Sequence, residues 1–119
     1  VKEEEKNAYP PGPWLWDETF RRMNMTAVDA LKEVVEILNK ELPVKTGLPC
    51  QSTLDPIGEE LVVRIGDFKC AFSPLVLMDR YGTNIGCHVR EMVDFVTSEA
   101  LIAMSQAILD RRDKRGLLV

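Results

Sequence analysis

The stretch Leu61–Phe72, reading LVVRIGDFKCAF, constrains this chain more than any other. Two short apolar runs meet at Gly66-Asp67. A two-residue loop with Gly in first place is the signature of a type II′ hairpin turn, because that position needs a positive φ. The turn sets the pairing: Ile65 stands opposite Phe68, Val63 opposite Cys70 and Leu61 opposite Phe72. Strand side chains alternate with period two, so these six share one face. Val62, Arg64, Lys69 and Ala71 take the other. One apolar face and one mixed face describe a hairpin laid on helices.

Helices to cover it flank the hairpin. Thr26 is placed to cap a helix by accepting from the backbone N–H of Asp29, whose charge suits the positive first turn. Ala27, Ala30, Leu31, Val34, Val35, Leu38 and Leu42 follow at three- and four-residue steps, with Lys32, Glu33, Glu36 and Lys40 on the opposite face. Pro43 is expected to end this helix. Ser73-Pro74 reads as an N-cap with Pro at the first helical position, and Gly82 as the left-handed cap after Tyr81. From Thr83-Asn84 the apolar phase runs without a slip through Ile85, Val89, Met92, Val93, Val96, Ala100 and Met104 to Ile108, which predicts one long helix. Its end is basic, and Gly116 is expected to release a short apolar tail. Leu101, Ile102 and Leu109 lie outside the main stripe, as in a helix covered on more than one side.

Two strands alone make a marginal sheet with both edges open. Either the turn-rich stretch Val44–Leu54 completes it, with Leu48, Cys50 and Leu54 in an edge strand beside Pro49, or a second copy of the chain does. Residues 1–16 read as a flexible acidic tail and a Pro/Trp arm. There Tyr9-Pro-Pro-Gly-Pro favours an extended path that presents Trp14 and Trp16, a residue type enriched at interfaces. Residues 17–119 read as a single domain that opens on a short helix from Asp17 to Met23. The expected fold is α+β: a central antiparallel β-hairpin, completed by another strand or subunit, packed against an amphipathic helix and a long C-terminal helix.

The formal charge of −4 argues against holding nucleic acid through its phosphates, which rests on Lys and Arg. Three cysteines without C-x-x-C spacing suit a reducing compartment. No uninterrupted apolar run approaches the roughly 20 residues that span a bilayer. No charged-then-apolar pattern of the secretory kind opens the chain. The expectation is a cytoplasmic protein with no membrane partner.

Chemistry is sparse. Cys87 and His88 are adjacent, but neighbours on a helix point about 100° apart and do not form a nucleophile–base pair. The plain reading has Cys87 buried and His88 partly exposed. Cys50, Cys70, Cys87 and His88 lack zinc-site spacing, so no metal or cofactor is expected. Glu91 and Asp94, beside Arg90, read as a solvated face. Arg80, Tyr81 and Asn84 surround a Gly-bearing loop at a helix N-terminus, a place where backbone N–H groups meet anions. Arg64 and Lys69 on the polar face of the hairpin would join them if they lie nearby. Two functions follow. The first is a non-enzymatic, homo-oligomeric binding or assembly protein working through protein surfaces, with Trp14, Trp16, Leu101, Ile102 and Leu109 as interface candidates. The alternative is a binder of a nucleotide-like or other small anionic ligand, with Arg64, Lys69, Arg80, Tyr81 and Asn84 lining pockets at subunit interfaces.

Overall fold

The computed structural model describes the backbone of residues 13–55 and 60–118, and the side chains of residues 17–55 and 60–111. The acidic tail and the first part of the proline segment, residues 1–12, lie outside the described residues. In chain order the elements are α1 (Pro13–Met23), α2 (Ala27–Thr46), β1 (Cys50–Leu54), β2 (Leu61–Ile65), β3 (Phe68–Phe72), α3 (Pro74–Tyr81), a 3-10 turn (Ile85–His88) and α4 (Val89–Leu118).

The hairpin forms in the expected register, with Ile65 against Phe68, Val63 against Cys70 and Leu61 against Phe72. Gly66 takes φ +58°, and Asp67 is not among the residues of positive φ, as a type II′ turn requires. The third strand comes from the chain itself. β1 runs antiparallel to β2, pairing Cys50 with Ile65 and Leu54 with Leu61, and the sheet order is β1-β2-β3. No second copy is needed to make a sheet. Helix α2 lies along β1, and α4 packs on both α2 and β3. The core is therefore a sandwich of one sheet face and two helices. Leu31, Val34, Leu38 and Leu42 from α2 meet Leu61, Val63 and Ile65 from β2 and Met92, Val93, Val96 and Ala100 from α4. The helical contributors hold three- and four-residue spacing and the strand contributors hold alternate positions, so each element buries the face its period sets apart.

Local sequence explains the helix ends. Thr26 Oγ1 accepts from Asp29 N–H at 3.1 Å, the cap read from the sequence. Pro43 does not end α2, which winds on to Thr46. Proline removes one donor, but Thr46 Oγ1 donates to Leu42 O at 2.7 Å and Gly47 N–H to Pro43 O at 2.9 Å, so the last turn is held from its far side. Gly82 is right-handed rather than a left-handed cap, and the positive φ falls on Asn84 at +53°. Asparagine tolerates that region, and the chain there tightens into the 3-10 turn that leads into α4. α4 runs through Thr97-Ser98 as one helix and continues past Gly116 to Leu118, where the sequence predicts a released tail. At the other end, Pro13–Trp16 is helical, not extended: Pro13 occupies the first helical position, where a missing N–H costs nothing.

The 3-10 turn ties α1 to the rest. Arg22 Nη1 donates to Gly86 O at 3.0 Å while Nη2 reaches Glu33 on α2 at 2.9 Å. Gly86 is buried against this corner, and a Cβ there would collide with the Arg22 carbonyl oxygen and lie 2.7 Å from Met25 Cβ. On the solvent side, Arg90 of α4 forks onto Glu41 of α2 at 2.6 and 2.7 Å and also holds Asp94 at 2.7 Å.

Candidate functional site

The two edges of the sheet are treated differently. In a two-residue hairpin the residues flanking the turn exchange both backbone bonds, so Ile65, Val63 and Leu61 bond β3 while Arg64 and Val62 turn toward β1. Gly66 N–H donates to Pro49 O at 2.8 Å and Asp55 N–H to Glu60 O at 2.9 Å, in keeping with that alternation. On β1, the groups left facing outward include those of Ser52. They are not left bare. The Asn39 side chain accepts from Ser52 N–H at 2.6 Å and donates to Ser52 O at 3.1 Å, so an amide on α2 stands where a fourth strand would. On β3, the outward groups belong to Lys69 and Ala71, and both residues are exposed. Nothing among the described residues bonds them. One edge is closed and the other is open.

Beside the open edge runs an apolar seam between β3 and α4. Near Phe72 a depression of about 390 Å³ is lined by Cys70, Phe72, Val76, Phe95, Glu99 and Ala103. Near Phe68 a second, of about 430 Å³, is lined by Phe68, Asp67, Met104, Ile108 and Arg111 and extends around the turn end of the sheet to Gly66, Leu48 and Pro49. α4 therefore runs antiparallel to β3, with Phe95 at one end of the strand and Arg111 at the other. Burial pushes the Cys70 thiol up from its ordinary range.

The interface candidates divide. Ile102 is 62% exposed and Leu109 50%, and seven residues apart on a helix they share a face. Leu101 is instead half-buried against the core, because α4 is wedged between α2 and β3 and buries a wider arc than one stripe. The backbone of Trp14 and Trp16 belongs to α1, and their side chains lie outside the described residues. By length and composition alone the stretch Ile85–Arg111 could cross a bilayer, although no single run of the sequence suggests it. Within this fold 28% of its most apolar window is buried.

The ligand candidates divide as well. Arg80 stacks on two rings, its guanidinium carbon 4.6 Å from the Phe95 centroid and 5.7 Å from that of Tyr81, and Nε donates to the Tyr81 hydroxyl at 3.2 Å. Tyr81 in turn packs on His88, ring centroids 5.8 Å apart, beside an open cleft that Thr83, Asp79 and Glu91 also line. Asn84 sits in the following turn without a side-chain cap bond. Arg64 and Lys69 are directly opposite each other on the solvent face of the sheet, away from the face that α4 covers. They form one cluster and Arg80 with Tyr81 another.

The carboxylates beside Arg90 find structural partners, whereas Ser52 Oγ and Thr97 Oγ1 are buried with none among the described residues. Glu91 bonds His88 Nδ1 at 3.0 Å and Asp94 bonds Arg90, so the two carboxylates do not act on one centre. Cys87 is exposed, against the buried position expected for it, because the 3-10 turn directs it outward. No group of metal-binding side chains occurs among the described residues. No family model, curated protein or solved structure matches this chain. Sequence reasoning missed the closed edge and the seam. Asn39 sits on a polar helix face like its neighbours, and only the placement of β1 beneath it distinguishes it.

Proposed function

We propose that this chain is a non-enzymatic, homo-oligomeric assembly protein acting through protein surfaces. One observation carries the reading: the apolar surface of α4 continues beyond the core. Ile102 and Leu109 are exposed along a helix whose adjoining flank lines the apolar seam. Singly exposed apolar residues are ordinary, but a run of them beside a groove is the pattern of a surface meant to be covered. Sedimentation equilibrium of the wild-type chain and of Ile102→Glu/Leu109→Glu tests it. An oligomer that the double substitution dissociates, with little change in the melting of the dissociated chain, is the expected result. A wild-type monomer, or an oligomer indifferent to both charges, would contradict it. The anionic-ligand alternative is supported only by Arg80 and Tyr81, because Arg64 and Lys69 lie elsewhere.

A further inference from the structure

We propose that β3 pairs antiparallel with β3 of a second copy, on a two-fold axis through Cys70, joining two three-stranded sheets into one of six. The inference rests on the assembly reading above and adds to the α4 surface named there a second contact, the open edge of β3, with a second copy as its occupant.

Three features select a second copy as the occupant of the open edge. The first is register. The outward backbone groups belong to Lys69 and Ala71, so a neighbour must set its own outward residues opposite these. Placing Lys69 against Ala71 of the second copy, and Ala71 against its Lys69, pairs the whole of Phe68–Phe72. Sliding by two residues shortens the overlap, and in one direction sets Lys69 against Lys69. Lysine ordinarily guards an open edge. Here it faces alanine in the one register that uses the full strand. The second feature is the apolar face: in that register Phe68 lies against Phe72 of the second copy and Cys70 against Cys70, the kind of cross-strand contact that stabilises sheets. The third is charge. Glu99 lines the Phe72 end of the seam and Arg111 the Phe68 end, and neither makes an ion pair among the described residues. A two-fold axis turns the Glu99 end of each copy, where Arg80 stacks on Phe95, toward the Arg111 end of the other, where Asp67 also lies, so each end meets charges of both signs. An unrelated peptide would need to supply charges of both signs at both ends; a second copy contains them.

Cys70 falls in a non-hydrogen-bonded pair, where Cα atoms lie about 4.5 Å apart, within reach of a disulfide of about 4.4–6.8 Å. The test uses the full chain with Cys50→Ser and Cys87→Ser, leaving Cys70 as the only thiol. Diamide takes two electrons and two protons from a pair of thiols and becomes the hydrazine, linking them with no spacer. The expected result is a dimer by sedimentation equilibrium, linked through Cys70 at alkaline pH. Ala71→Pro removes an outward donor while sparing the bonds to β2, and should weaken the dimer about 30-fold or more with the monomer's melt little changed. If Ala71→Pro fails to fold, the Cys70 linkage decides alone. A dimer that neither links through Cys70 nor responds to Ala71→Pro overturns this inference and leaves the assembly reading standing. A monomer at concentrations of order 100 µM overturns both.

Discussion

Replacing Asn39 by alanine should unfasten the closed edge of the sheet. The side chain makes two hydrogen bonds to Ser52, at 2.6 Å to its N–H and 3.1 Å to its carbonyl. Each such bond is worth about 1 kcal/mol net, so their loss costs about 2 kcal/mol. Alanine is a better helix former than asparagine by about 0.5 kcal/mol, which offsets part of the loss in the body of α2. Ser52 is buried, but the Asn39 side chain that covers its backbone groups is itself exposed, so truncating Asn39 opens them to water and keeps the cost below the penalty for polar groups stranded in a dry core. The net expectation is a destabilisation of about 1.5 kcal/mol. Urea unfolding at a concentration low enough to keep the chain monomeric measures it, and amide exchange locates it. Ser52 N–H should lose protection in Asn39→Ala, while Gln51 and Thr53, which pair with Arg64 and Val62 on the inner side, should keep theirs. A loss below about 0.5 kcal/mol, the range of an ordinary surface substitution, with Ser52 still protected would refute the reasoning.

Three further outcomes follow from particular contacts. Thr97 Oγ1 is buried with no hydrogen-bond partner among the described residues. Thr97→Val keeps the shape and removes the hydroxyl, and should stabilise the fold by about 1 kcal/mol in a thermal melt. Gly86→Ala drives a methyl group into the Arg22 carbonyl, which as backbone cannot swing aside, and should cost about 2–3 kcal/mol with faster exchange of the α1 amides. Glu41 and Asp94 are held below their ordinary pKa chiefly by hydrogen bonds from Arg90. Folded values below the unfolded ones of 4.5 and 3.8 mean that the stabilisation is complete above that range and is lost as pH falls through the lowered values. Urea midpoints measured from neutral pH to about 2 should show a shallower acid decline in Arg90→Gln than in the wild type.

What the sequence disclosed of this fold was its local chemistry. The Gly66-Asp67 turn and the alternation around it specify register, because a one-residue slip would carry every apolar side chain to solvent. The Thr26 cap and the unbroken phase of α4 are likewise written in neighbouring residues. What stayed hidden depends on distant partners. Pro43 looks like a stop until Thr46 and Gly47 are seen to hold the turn beyond it. Pro13 joins α1 although the prolines before it disfavour helix. Of the candidate site, Ile102 and Leu109 were legible as surplus apolar residues. Leu101 was not separable from them by periodicity, because the burial of a helix flank depends on which elements lie beside it. Arg64 and Lys69 were read onto the right face of the hairpin, but the distance of that face from Arg80 is a property of the tertiary fold.

The measurement that tests the central claim most directly is amide exchange at Lys69 and Ala71 as a function of protein concentration. If copies of the chain assemble through the open edge of β3, these two amides should be slow at high concentration and become fast on dilution, while Cys70 and Phe72, bonded to β2, stay slow throughout. Fast exchange at Lys69 and Ala71 at every concentration, with Cys70 and Phe72 protected, would show an edge that no second copy covers and would contradict the account.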